Sequence, residues 1–322
     1  MIIKRFGVVL LLAFFSGCGN QDHVTIESGF QVTHRLALGR APHGIRFSET
    51  GERAFVCLSG DGQVAEIDLE IMQIIKKHPA GVTPLDLVWL NENQDWLVTQ
   101  FQRDSLILLQ EAETFKRAGR GASLFDPRIV DGVGWVTCEF ADTLIGFDTK
   151  SNEIVARYAT GQRPYPADVT RDGKTAFVPN RTDATVSVID LESGNTVKTV
   201  KIGADPEGGA LTQDDAFYLA ACGGTDEVMF IDTKSLEVVA KVSERIGPRP
   251  FSVLVSKNNR YGLVNNAGGN TVSIIDIALR RVIEVVEVGE QPIVMRAHPD
   301  GKRIFISNEK SDDLAILEIP GS

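Results

Sequence analysis

The sequence predicts an all-β fold, a β-propeller of seven four-stranded blades, and three observations predict it. The first is a strand ending in an apolar-acidic pair. It recurs at Ile67-Asp68, Phe147-Asp148, Ile189-Asp190, Ile231-Asp232, Ile275-Asp276 and Leu317-Glu318, with Leu109-Gln110 in the one gap. The successive spacings are 42, 38, 42, 42, 44 and 42 residues, the period of propeller blades. The second is Gly-x-x-Pro at the start of a unit: Gly39/Pro42, Gly81/Pro84, Gly161/Pro164, Gly203/Pro206, Gly247/Pro250 and Gly289/Pro292. Unit three departs, with Gly121-Ala-Ser-Leu-Phe-Asp-Pro127. The third is that the last unit stops at Ser322, after its third strand, while an unassigned strand precedes the first unit.

Residues 164–203 show the elements of one blade. A first strand is expected at Ala167 to Thr170, followed by the turn Arg171-Asp172-Gly173-Lys174, of the kind Asp-Gly favours. Thr175 to Pro179 forms a second strand, and Asn180 to Ala184 a loop. Val186 to Asp190 alternates as a third strand, Glu192 to Asn195 turns, and Val197 to Ile202 is the fourth. Helical repeats of this length would need apolar residues at i, i+3 and i+4, whereas these alternate by two. The missing strand of blade seven is expected from residues 30–38, so the N-terminal strand closes the ring and leaves no orphan edge.

Formal net charge is −10, and loss of Lys4 and Arg5 with a leader would leave −12. No Lys/Arg run offsets this charge, so nucleic acid is excluded as a partner class. Lys4-Arg5, the apolar stretch Phe6 to Phe15 and the small residues Ser16-Gly17 describe a secretory signal too short to span a bilayer. The run ends on Cys18. It resembles the lipobox of bacterial lipoproteins, in which that cysteine is lipidated and becomes the N-terminus; Phe15 departs from the usual aliphatic residue. The rival is an ordinary cleaved signal with Cys18 incidental. The expected division is 1–17 signal peptide, 18–29 lipidated cysteine and tether, and 30–322 propeller. Gly19 after the cysteine resembles lipoproteins sorted to the outer membrane, so the expected location is the cell envelope, anchored by lipid at the periplasmic face of the outer membrane.

Phe177-Val-Pro-Asn180, Thr185-Val-Ser-Val-Ile-Asp190, Thr199-Val-Lys-Ile-Gly203, Thr271-Val-Ser-Ile-Ile-Asp276 and Asp300-Gly-Lys302 resemble the YVTN family of β-propeller repeats. The resemblance covers residues 30–319, closely in blades four, six and seven and loosely in blades two and three. The family implies the fold. It occurs in secreted and surface proteins, in β subunits of amine dehydrogenases and beside haem-bearing domains, and so names no single function.

Linear catalytic motifs are absent from the sequence, and no catalytic residue is assigned. Cys57, Cys138 and Cys222 sit in second strands; Cys138 and Cys222 share one repeat position two blades apart, too far for a disulfide, and are read with Cys57 as buried thiols. No C-x-x-C-H occurs, and no His spacing describes a closed zinc site. His298 stands in His-Pro-Asp-Gly and reads as a turn residue. The residues after each conserved-position proline are His43, Leu85, Arg128, Tyr165, Glu207, Phe251 and Ile293, and are expected to ring the channel mouth. Four residues beyond the proline, Arg46, Val88, Asp131, Asp168, Ala210, Leu254 and Arg296 are expected to line the channel.

The loops of blades two to four carry Phe101, Arg103, Phe125, Arg128, Phe140, Arg163, Tyr165 and Arg181 on one face, the aromatic-arginine mixture of interface hot spots. A non-catalytic binding or scaffold propeller, monomeric and contacting a cell-envelope partner protein through that face, is therefore the leading expectation. The alternative is a redox or metal/cofactor-binding propeller, an enzyme or an accessory subunit of a periplasmic dehydrogenase. Its site would be the channel mouth at His43, Arg128, Tyr165 and Glu207, with the metal or cofactor unidentified.

Overall fold

The computed structural model describes residues 29–89, 96–101, 105–108, 113–117, 124–151 and 153–320. Cys18, the leader, Arg103 and the Leu109-Gln110 landmark lie outside the described residues. The described strands assort into seven antiparallel four-stranded sheets, without helices. Blade one runs Pro42–Phe47, Arg53–Leu58, Gln63–Asp68, Gln73–Pro79, and the next five sheets repeat that order through Arg281–Glu287. The last sheet contains Pro292–Ala297, Arg303–Asn308 and Asp313–Glu318, and its outer strand is Gln31–Ala37 from the other end of the chain. Innermost strands touch in sequence around the ring, and Pro292–Ala297 touches Pro42–Phe47. The fold is a β-propeller.

Both sequence landmarks have a physical cause. In the apolar-acidic pair the apolar residue is buried between blades, as Ile67, Ile189, Ile231 and Ile275 are. The aspartate caps the turn into the fourth strand. Asp68 Oδ1 accepts from Glu70 N at 3.0 Å, Asp190 Oδ1 from Ser193 N at 2.7 Å, Asp232 Oδ1 from Ser235 N at 2.8 Å and Asp276 Oδ1 from Leu279 N at 2.9 Å. These backbone donors hold the carboxyls of Asp190 and Asp232 below the usual range. Glu318 stands where no such turn follows.

The glycine of Gly-x-x-Pro faces the end of the second strand. A Cβ on Gly161, Gly247 or Gly289 would collide with Asn180, Asn266 or Asn308. The residue before the proline takes positive φ in Ala41, Arg163, Asp205, Arg249 and Gln291. In four blades its N–H is received by the preceding blade: Ala41 N by Asp312 Oδ1 at 2.9 Å, Arg163 N by Asp142 Oδ1 at 2.8 Å, Arg249 N by Asp226 Oδ1 at 2.8 Å and Gln291 N by Asn270 Oδ1 at 3.0 Å. One latch thus joins blade to blade, including seven to one.

The structure corrects three expectations. The first strand of blade four is only Asp168–Val169, where blade four alone carries a second proline two residues past that of Gly-x-x-Pro, Pro166, which has no N–H to give a longer ladder. Asp131 does not line the channel. With Gly132 it forms the two-residue turn between Leu124–Val130 and Val133–Cys138, both at positive φ, and is exposed. His298 is more than a turn residue: it is buried, its Nε2 lies 2.8 Å from Gly51 O of blade one, and its ring meets Phe47 edge-on at 5.0 Å.

Cys57, Cys138 and Cys222 are fully buried and unbridged. Burial pushes the Cys138 thiol up to about 11 and the Cys222 thiol up to about 12, and raises Cys57 well above its ordinary value. A raised pKa keeps the reactive thiolate scarce at pH 8. A chain beginning at Gly19 is therefore expected to show no thiol reactive to a disulfide reagent at pH 8 while folded, and all three in denaturant. Fast reaction of the native chain would refute the packing.

Candidate functional site at the channel mouth

The mouth is built by β-bulges. Register shifts fall between Pro42 and Ile45, Pro84 and Leu87, Pro206 and Gly208, Pro250 and Ser252, and Pro292 and Val294. The residues inside the shifts, His43, Leu85, Asp86, Glu207, Phe251 and Ile293, are turned out of the ladder toward the axis, the re-aiming that bulges perform. All seven sequence-derived mouth positions, His43, Leu85, Arg128, Tyr165, Glu207, Phe251 and Ile293, line one cleft of about 610 Å³ including its opening.

Apolar groups form part of its wall. Leu85 and Tyr165 are buried together, with Phe101 and Phe251 packed against them; the Tyr165 and Phe251 rings meet edge-on at 6.3 Å. Charged groups are clamped around this wall. The Glu207 carboxylate, 1% exposed, receives Arg181 Nη2 at 3.0 Å and Arg249 Nε at 3.2 Å. Arg181 lies over the Tyr165 ring at 5.6 Å, and Arg249 lies over Phe251 at the same distance. Burial first, then the Glu139 and Glu207 charges, push the Tyr165 phenol up to about 12, so it remains protonated. His43 Nδ1 lies 3.1 Å from Leu85 O. A carbonyl at that nitrogen selects the tautomer with the proton on Nδ1 and the lone pair on Nε2.

Deeper in the channel the organising residue is Asp86, which sequence reasoning missed. Its Oδ2 receives Arg46 Nη2 and Arg296 Nη2, each at 3.1 Å, while Oδ1 accepts from Leu87 N at 2.8 Å. One carboxylate thus joins blades seven, one and two. Arg128 Nε lies 3.3 Å from Asp168 Oδ1 across blades three and four. Asp86 occupies the bulge, one residue after the mouth position, where the other blades carry Gly44, Ile129, Pro166, Gly208, Ser252 and Val294. Scanning that position as well would have exposed it.

The expected contact face is brought together in part. Phe140 is exposed with Arg163 over its ring at 5.5 Å, and Arg163 pairs with the buried Glu139. Arg181 and Tyr165 belong to the mouth, and Phe101 packs into it. Phe125 is placed in the strand Leu124–Val130, and Arg103 lies outside the described residues. Among the described residues no three His, Cys, Asp or Glu side chains gather as a metal site.

Comparison with known proteins bears on the same architecture. Residues 132–249, about a third of the chain, match the model of the cytochrome D1 heme domain family. Over its length the chain is similar to hydrazine synthase of Kuenenia stuttgartiensis, with a TM-score of 0.76 and 17% identity, covering 95% of this chain and 100% of that one. No curated protein matches. These likenesses support the propeller fold. Residues 132–249 contain no histidine, so the matched stretch carries repeat architecture and no imidazole donor.

The residues of the mouth can be tested against a haem directly. The macrocycle supplies four nitrogens to its iron, so one protein imidazole is a sufficient donor. His43 is such an imidazole, oriented by a backbone carbonyl, beside an apolar wall for the ring and guanidinium groups for its carboxylates. The donor set fits.

Proposed function

We propose that this protein is a cofactor-binding propeller, that its functional site is the channel mouth, and that haem is the class of cofactor it takes. The observation that carries the reading is the placement of His43, held by Leu85 O, on a cleft walled by Leu85, Tyr165, Phe251 and Ile293. The cytochrome D1 heme domain match supports the same class.

His43 would offer Nε2 as donor, with Leu85 O fixing its tautomer. Leu85, Tyr165, Phe251 and Ile293 would cover the apolar ring and exclude water. Arg128 would answer peripheral carboxylates. Bound there, a haem would supply one-electron redox chemistry. The lipid anchor at Cys18 and residence in the cell envelope are part of this proposal, and they would hold the redox site at a membrane surface.

The test is a haemin titration of the purified chain followed by absorbance. A saturable shifted Soret band is expected, with His43→Ala altering the band and weakening binding about tenfold or more, the loss of about 1.4 kcal/mol or more. Absence of saturable binding, or a His43→Ala spectrum identical to the parent, would sink the proposal.

The exposed Phe140–Arg163 pair favours a second reading, a protein contact on the blade-three loops that would deliver or receive electrons. Phe140→Ala would then weaken capture of that partner and leave haemin binding unchanged. Unchanged capture by the variant would refute it.

A further inference from the structure

The mouth histidine is held by a backbone atom, and that atom is itself held. Leu85 O, which lies 3.1 Å from His43 Nδ1, and the N–H of Asp86 are the two ends of one peptide unit. The unit is planar and trans, so a contact that fixes the direction of its N–H also fixes the carbonyl on its far side. The strand is bulged here: its register shifts between Pro84 and Leu87, which takes Leu85 and Asp86 out of the regular ladder. A side chain of the neighbouring second strand supplies the missing contact. Thr99 is fully buried; its Oγ1 accepts from Asp86 N at 3.1 Å and donates to Asp86 O at 3.2 Å.

Blade seven repeats this device. Ser307 holds the repeat position of Thr99, counted back from Leu317 and Leu109. Its Oγ accepts from Val294 N at 3.3 Å and donates to Val294 O at 3.4 Å. The carbonyl across that peptide, Ile293 O, receives a side chain of the preceding blade, the Ser252 hydroxyl at 2.9 Å. In both blades a second-strand hydroxyl aims a mouth carbonyl at the neighbour, and where blade two meets blade one the neighbour offers an imidazole. The bulges of blades one and five form with Cys57 and Ala221 at that position, so the hydroxyl is not what makes a bulge.

We propose that Thr99 is a positioning residue for His43. Its hydroxyl sets the Leu85–Asp86 peptide, Leu85 O accepts the Nδ1–H, and the imidazole is kept in the tautomer whose lone pair is on Nε2. Thr99 is not among the described residues lining the cleft, and it acts through the backbone. The inference rests on the channel-mouth reading and names what keeps its donor in one form. The relay itself belongs to the chain with or without a cofactor.

Imidazole nitrogen chemical shifts of the purified chain, measured by NMR without cofactor at about pH 8, above the ordinary histidine range, test it. Loss of signal in His43→Gln assigns the resonances. The Nδ1–H tautomer of His43 is expected to dominate in the parent. Thr99→Val keeps the side-chain shape without the hydroxyl, and is expected to give a mixture with the Nε2–H form and to bind haemin about tenfold more weakly. Thr99→Ser is expected to restore both. Thr99→Ala, the side chain blade five already carries there, should match the valine variant and replaces it if that chain does not fold. Ser307→Ala removes the same hydroxyl from blade seven and is expected to leave the His43 tautomer as in the parent, which separates the relay from a general loosening of the ring. A parent in the Nε2–H form, a tautomer unchanged in Thr99→Val and Thr99→Ala, one not restored by Thr99→Ser, or one changed equally by Ser307→Ala overturns the inference. Haemin that binds with the tautomer unchanged in Thr99→Val overturns the relay alone. Haemin that binds none of these chains overturns the haem reading alone, since the tautomers are read without it.

Discussion

Deleting residues 30–38 is expected to abolish cooperative folding. The strand Gln31–Ala37 pairs with Asp313–Glu318 along almost its whole length, from Gln31 against Glu318 to Ala37 against Asp313. Without it that strand becomes an open edge in a ring whose other sheets have four strands. The deletion also removes side chains from two inter-blade cores. Phe30 is buried against Tyr261, ring to ring at 5.1 Å, in the core shared by blades six and seven. Leu36 and Leu38 pack on the core between blades seven and one. Truncating a buried Phe alone costs about 3–5 kcal/mol, and a domain's whole stability is about 5–15 kcal/mol, so the summed loss exceeds what the fold can absorb. Deleting residues 19–28 should change the melting temperature little. Circular dichroism melts of both truncations decide the matter: a sharp transition near the parent temperature in the 30–38 deletion would show that the ring does not depend on its clasp.

Asp86→Ala should cost about 3–5 kcal/mol, the loss found when one partner of a buried ionic group is removed. The Asp86 side chain is 5% exposed, and those of Arg46 and Arg296 are 17% and 23% exposed. Their attraction to one oxygen draws three blades together at the seam where the ring closes. Alanine would take from both guanidiniums the carboxylate they share, in a medium that screens charge poorly. Gly44 belongs to the same unit, since a Cβ there would collide with Asp86. The charge argument has its own check. Combining Arg46→Met, Asp86→Asn and Arg296→Met removes the cations with the anion and is expected to be less destabilising than Asp86→Ala alone. Denaturant melts measure both, and a triple variant weaker than the single one would show that the seam depends on contacts other than this ion pair.

Much of this molecule is written in its landmarks. Ile-Asp recurs because one side chain must fill an inter-blade core while the next caps a turn, and both needs are local. Gly-x-x-Pro recurs because the glycine is pressed against the end of its own blade's second strand, on an asparagine in blades four, six and seven, and in four blades the residue before the proline latches onto the neighbour. The mouth positions were legible for the same reason: each stands a fixed step after a proline in a repeated bulge. Blade four was less legible, because Pro166 interrupts the ladder of a strand whose alternation otherwise reads normally. Asp131 misled because counting from Pro127 assumes a regular strand, and the short Asp131-Gly132 turn ends that strand early.

The sequence by itself determined the repeat, its strand order, the ring of mouth residues and the buried thiols, since these follow from periodicity and polarity within one unit. Only the tertiary structure decided which of those residues act together. Arg46 and Arg296 are 250 positions apart in number and meet on Asp86 because the ring brings the last blade beside the first. Glu207 is caught between arginines of two flanking loops, and the Tyr218 hydroxyl reaches Gly209 only because that wall has no side chain. A linear pattern records what each blade needs for itself. Closure of the circle sets the distances between blades, and those distances decide which residues meet in the channel.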